Sequence, residues 1–263
     1  MKHILLPLLV AASLAACATT TSSTGRRQYV GAVSQEQLNQ LGAQAFTEAR
    51  QKGPLSQDAK QNAYVRCVVN ALVQQLPAQQ RTIRWETAVF VEKEPNAYAL
   101  PGGKVGVNTG IFTVARNQDQ LAAVIGHEIG HVVERHHDER ITRQMGAAGA
   151  VQLLGALAGD YGQLATQGGG LLAQTGFLLP GSRAQETEAD IVGQRMMAQA
   201  GFDPRAAVAL WQNMIAAGGS RPPQWLSTHP DPQARISELQ ARANQLVPVY
   251  EQARAAGHRP QCG

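Results

Sequence analysis

The segment Ile125–Val133 constrains this chain more than any other, because it carries His127, Glu128 and His131 in one helical turn. Leu121, Val124, Ile125, Ile129 and Val132 recur around them at three- and four-residue spacings, the pattern of a helix with a buried face. On such a helix the two histidines stand one turn apart on the same side and can share a metal ion, with the Glu128 carboxylate beside it. Imidazole nitrogens suit zinc, and a zinc that does chemistry takes three protein ligands and keeps a fourth position open. The fold must therefore bring a third ligand to the motif from elsewhere, and a carboxylate on a second packed helix is expected. Glu186 and Asp190, four apart, lie on one helical face and offer two carboxylates.

At 263 residues the chain is long enough for one sizeable domain, and 44% hydrophobic with 16% charged residues is a globular composition. The 26 glycines and 5% aromatics point to a small-side-chain, helix-rich core with flexible loops. The net charge of +4 is modest and its arginines, among them Arg50, Arg66, Arg116, Arg143 and Arg195, are dispersed, so no nucleic-acid partner is expected. Residues 1–16 read as a targeting segment: Lys2 and His3 precede an apolar run too short to span a bilayer, ending in Leu14–Ala15–Ala16–Cys17. This end resembles the lipobox of bacterial lipoproteins. The resemblance implies cleavage before Cys17, lipidation of that cysteine, and a periplasmic protein tethered to a membrane; Ala18 in the next position matches sorting to the outer membrane of a Gram-negative bacterium. Cys67 and Cys262 then remain, either to pair in an oxidising compartment or to stay separate thiols.

Residues 17–33, rich in Ser and Thr without an apolar period, read as the lipidated cysteine and a flexible tether, and 34–263 as the domain. Ser34 with Gln37 makes a capping box for a helix that Gly53–Pro54 ends, and Ser56 is expected to cap the next, whose stripe is Val65, Val68, Val69, Leu72 and Leu76. Ile83–Glu92, Ala97–Leu100 and Lys104–Val107 read as strands of a small antiparallel sheet. A helix from about Gln118 to Glu139 carries the metal motif, leaving His136 and His137 on its solvated end. Residues 145–180, nearly uncharged and interrupted by Gly168–Gly170, form either two short packed helices or a mobile lid facing the cleft or membrane. Helices ending at Gly201, starting at Asp203–Pro204, and carrying Ile236 and Leu239 complete the chain.

His127-Glu128-x-x-His131, Ser182-Arg183-x-x-Glu186-x-Glu188-Ala189-Asp190 and Thr228-His229-Pro230 occur in that order, preceded by Asn96–Gly103 and Val107–Gly110. Together these motifs resemble the HtpX and CAAX-prenyl-protease type of gluzincin metallopeptidase over residues 55–240. The soluble periplasmic members are the better match, since no transmembrane hairpins are evident, although the chain departs from one such member in lacking its tetratricopeptide tail. The resemblance implies an α+β fold, a mostly helical zincin-like metallopeptidase domain with a small antiparallel β-sheet. It implies one Zn2+ held by His127, His131 and Glu186, Glu128 as general base, and Asp190 orienting a ligating histidine through its other ring nitrogen. Glu188 becomes the ligand only if the helix register shifts. His229 is expected to stabilise the oxyanion, to act as a reversible fourth ligand that keeps the enzyme latent, or merely to hold its loop. Arg235 fits the family's arginine and would bind the oxyanion or brace the loop. Asn96, Ala97, Tyr98 and Ala99 would offer an edge strand to an extended substrate. The implied partners are unfolded or misassembled envelope proteins, the membrane through the lipid anchor, and the outer-membrane assembly machinery. A zinc-stabilised chaperone or assembly factor with little proteolysis is the alternative.

Overall fold

The computed structural model describes residues 18–146, 181–218, 225, 229 and 232–263. The targeting segment, Cys17, most of the 145–180 stretch, Thr228 and Pro230 lie outside the described residues. Strands β1 (Ala18–Thr21) and β2 (Arg27–Val30) pair antiparallel, with Ala18 opposite Val30. Residues 18–30 are therefore a hairpin and not the flexible tether expected from composition. Its polar side chains bond within the turn and also reach buried carboxylates on the domain, a contact that composition does not reveal.

Helix α1 (Gln35–Lys52) begins at the Ser34 and Gln37 capping box. The next helix, α2 (Ala59–Val73), is capped by Asp58, whose side chain accepts from the backbone N–H groups of Lys60 and Gln61, rather than by Ser56. Its apolar stripe, Val65, Val68, Val69 and Leu72, is buried against the motif helix α3 (Gln118–Val133) and the sheet. Cys67 of α2 is disulfide-bonded to Cys262, 195 residues along the chain, which fastens the C-terminal tail to the core.

Strands β3 (Glu86–Phe90), β4 (Ala97–Leu100) and β5 (Lys104–Asn108) form a sheet in the order β3-β5-β4. The β4–β5 pair is antiparallel, with Ala97 opposite Val107, but β3 and β5 run parallel, with Glu86 opposite Lys104. The sheet is thus mixed rather than wholly antiparallel. The break at Glu94–Asn96 carries the chain past the place of β5, and the turn at Gly102 and Gly103, both with φ near +75°, returns β5 between its neighbours. At the end of the sheet, β4 presents an edge with no strand partner among the described residues.

Helix α3 ends at Val133, six residues earlier than the apolar period suggests. Arg135 adopts a left-handed backbone with φ of 55°, uncommon for a residue other than glycine, and the chain turns there before resuming as α4 from 136 to 146. Helices α5 (Arg183–Ala200), α6 (Ala206–Ala217) and α7 (Pro232–Ala255) enclose the other side of α3. Among the described residues no helix is long and apolar enough to cross a membrane.

The contact that positions the site is α3 against α5. A methyl group added at Gly130 would stand 2.9 Å from the Ala189 carbonyl oxygen, and one at Gly193 would stand 2.8 Å from the His127 nitrogen. The two helices therefore touch backbone to backbone, which places the first turn of α5 directly over the two histidines.

Candidate metal centre

Helix α5 opens on a second capping box, Ser182 with Gln185, so its first turn is fixed where Glu186 projects. His127, His131, Glu186 and His229 each offer a ligand atom, and these atoms lie within 4.8 Å of one another in a buried cluster. His127 Nε2 and His131 Nε2 are 3.1 Å apart. Glu186 Oε2 lies 3.4 Å from the first nitrogen and its Oε1 3.5 Å from the second.

The hydrogen-bond partners fix which ring nitrogens carry protons. Asp190 Oδ1 is 2.9 Å from His127 Nδ1 and can only accept while ionised, so Nδ1 carries a proton and Nε2 is the nitrogen turned to the cluster. His131 Nδ1 lies 2.8 Å from His136 Nδ1, and His136 Nε2 lies 3.0 Å from Glu188 Oε2. The carboxylate again fixes the proton on His136 Nε2, leaving His136 Nδ1 to accept from His131 Nδ1–H. Both Nε2 atoms of the motif histidines thus face each other, and the buried Oε1 of Glu186 has no hydrogen-bond partner. Two facing imidazole nitrogens and an unpaired buried carboxylate oxygen call for positive charge between them, a proton in the metal-free protein or a bound cation. This donor set fits a zinc ion.

The electrostatics agree. Burial and the neighbouring Arg235 oppose a proton on His127, but Asp190 and Glu186 outweigh them and raise its pKa to about 9, so the site draws in positive charge. Burial, with His127, His136 and Arg140 nearby, pushes His131 well below the usual imidazole range. Burial would raise the Glu186 carboxyl, but His229, His127 and Arg235 hold it down to about 2. Glu128, likewise buried, is kept ionised by His229 and His127 and by a 2.9 Å hydrogen bond that Trp225 Nε1–H donates to its Oε1.

Asp190 lies behind His127, and Arg235 lies behind Asp190. The Arg235 guanidinium donates from Nε and Nη2 to the two Asp190 oxygens at 2.7 Å each, and from Nη1 to Glu186 Oε2 at 2.9 Å. It also stacks 4.0 Å over the Trp211 ring. With all three nitrogens engaged, Arg235 braces two carboxylates instead of facing the open side of the site. His229 donates Nδ1–H to the Trp225 carbonyl at 2.9 Å, which leaves Nε2 toward the cluster, 3.3 Å from Glu128 Oε1. Glu188 turns away from the cluster toward His136 and Arg26. Ala97 and Ala99 face the core from β4, while Tyr98 lies on the sheet's other face against Phe90.

His136 and His137 are buried rather than solvated: the turn at Arg135 folds His136 beneath His131. Trp225 is the other functional neighbour the sequence does not announce. It resembles an ordinary core aromatic, packed on Trp211, yet its indole N–H is spent on Glu128.

A family model described as Peptidase family M48 matches residues 59–243, which include every donor of this cluster. The chain belongs to peptidase family M48. Its M48 relatives include the mitochondrial metalloendopeptidase OMA1 of Schizosaccharomyces pombe, 42% identical over 160 residues, which are 60% of this chain and 46% of that protein. The beta-barrel assembly-enhancing protease of Escherichia coli is 31% identical over 225 residues, 81% of this chain and 45% of that protein. OMA1 of Arabidopsis thaliana is 36% identical over 176 residues, 66% of this chain and 35% of that protein. The chain thus matches less than half the length of each of these relatives.

Proposed function

We propose that this M48 chain is a lipid-anchored zinc endopeptidase that hydrolyses peptide bonds in unfolded or misassembled envelope proteins of the periplasm. The observation that carries the reading is the convergence of His127 Nε2, His131 Nε2 and Glu186 on one buried point with the ionised Glu128 at its border. Bound there, zinc supplies a Lewis acid that acidifies water and stabilises charge developing on a carbonyl oxygen. Glu128, held by Trp225, takes the proton of the attacking water and returns it to the leaving amine nitrogen. Asp190 and Arg235 keep His127 and Glu186 aimed. An extended substrate would add along the edge of β4 at Asn96–Ala99, which has no strand partner among the described residues, where backbone pairing gives affinity with little sequence preference. Such a mode suits unfolded clients.

The anchor at Cys17 and an outer-membrane location rest on the lipobox; the name of the E. coli relative, a beta-barrel assembly-enhancing protease, supports a link to outer-membrane assembly. His229 gives the reading its regulation: as a fourth donor within the cluster it would occupy the position that water needs, keeping the enzyme latent until its loop moves. The same observation favours the second reading, a locked zinc site stabilising a chaperone or assembly factor.

Glu128→Gln separates the two. The variant should keep its fold and zinc but lose casein cleavage by about 10²–10⁴-fold, the usual contribution of a general base. Retained turnover would overturn the mechanism. Wild-type protein that protects clients without cleaving any would favour the chaperone.

A further inference from the structure

Each motif histidine is held from behind by a carboxylate, and each carboxylate is gripped by an arginine, but the two arrangements differ in reach. Behind His127 the series is direct: Asp190, then Arg235. Behind His131 it passes through a second imidazole: His136, then Glu188, then Arg26. Glu188 and Asp190 are two residues apart on α5, so one helix serves both ligands. Arg26 comes from elsewhere, on the hairpin of residues 18–30, outside the 59–243 stretch that matches the family.

The hairpin surrounds Glu188 almost completely. Ser22 Oγ and Thr24 Oγ1 donate to Oε1 at 2.5 and 2.6 Å, and Arg26 Nε and Nη2 donate to Oε2 at 2.9 and 2.7 Å. The same guanidinium makes a two-pronged contact with Glu139, at 2.8 Å from each terminal nitrogen. Two further anchors fasten the hairpin beside it: Ser23 donates to both oxygens of Glu134, and Gln28 Nε2 donates to the Glu134 carbonyl at 2.6 Å. Every donor around Glu188 thus leaves it purely an acceptor, and this is what fixes the His136 proton on Nε2 and makes its Nδ1 the acceptor for His131. Remove the hairpin and Glu188 loses the donors that hold it against His136.

We propose that His136 is a positioning residue for the metal ligand His131, and that the hairpin of residues 18–30 completes the metal centre by holding Glu188 against His136. The proposal rests on the reading of His127, His131 and Glu186 as zinc ligands. Groups that orient a metal-bound histidine through its second nitrogen commonly change metal affinity by about 10–100-fold when lost.

The test measures the zinc dissociation constant of the full chain by competition with a chromophoric chelator, alongside the thermal midpoint of the metal-free protein. His136→Phe keeps a ring and removes both nitrogens; His136→Asn keeps an acceptor near the Nδ1 position. The expected result is a dissociation constant raised about 10–100-fold in the Phe variant and within a few-fold of wild type in the Asn variant. Glu188→Gln, in which Arg26 keeps its contact with Glu139, covers the case in which the Phe variant does not fold, and should also weaken zinc. Folded Phe and Gln variants that bind zinc as wild type does would overturn the proposal, as would an Asn variant no better than Phe. Failure of the wild-type chain to bind zinc at all would instead overturn the metalloprotease reading beneath it.

Discussion

Replacing Arg235 by Met should expose how much the buried charge network contributes before any metal binds. The guanidinium is buried and is the shared partner of Asp190 and Glu186. Methionine preserves much of the contact with Trp211 but leaves both carboxylates without their cation. Removing one partner from a buried ion pair costs about 3–5 kcal/mol, because the remaining charge is stranded. For a domain of this size that corresponds to a fall of about 6–20 °C in thermal midpoint. The loss should depend on pH with a definite sign. Arg235 helps to hold both carboxyl groups below their ordinary range, Glu186 at about 2, so its stabilisation is fully present above the unfolded carboxylate values and fades as pH falls toward the folded ones. Urea unfolding of chelator-treated protein at pH 7 and at pH 4 measures both. The gap between wild type and variant should be several kcal/mol at pH 7 and smaller at pH 4, and saturating zinc should narrow it by returning a positive charge to Glu186. A gap below about 1 kcal/mol, or one that does not change with pH, would refute the view that Arg235 acts through these two carboxylates.

Three further outcomes follow from the geometry. His229→Ala should raise casein turnover if Nε2 of His229 occupies the open position, and lower it if the side chain only stabilises the transition state; steady-state kinetics at saturating zinc distinguishes them. With its pKa near 9, His127 is protonated at pH 7 in the metal-free protein, so zinc binding should release about one proton and tighten as pH rises toward 9. Calorimetry in two buffers of different ionisation enthalpy counts that proton, and none released would contradict the assignment. Gly130→Ala puts a methyl group against the Ala189 carbonyl and should separate α3 from α5, costing about 1–3 kcal/mol of stability and weakening zinc binding in the same competition assay.

The cluster residues on α3 and α5 were legible because helical periodicity fixes which side chains share a face. Two histidines four apart and two carboxylates four apart can meet only if the helices cross there, and Gly126, Gly130 and Gly193 let the backbones do so. What stayed hidden depends on departures from periodicity or on distant partners. A left-handed residue at Arg135, with no glycine or asparagine to mark it, turns the chain so that His136 lies under the metal site. The order β3-β5-β4 depends on where a short connection crosses, and strand patterning carries no record of that. Ser22, Thr24 and Arg26 look like tether residues because what orders them is Glu188, more than 160 positions away.

The hairpin also sets a length. Strand β1 begins at Ala18, the residue directly after the cysteine of the lipobox, and the hairpin is fastened to the body that carries the histidine cluster. An acyl anchor on Cys17 would therefore have no leash to pay out: one extended residue spans about 3.5 Å. On the proposed reading, a chain moored this closely would work in a layer at the bilayer surface. On that reading, proposed clients would be met first by their position at the membrane face and only then by their lack of fold.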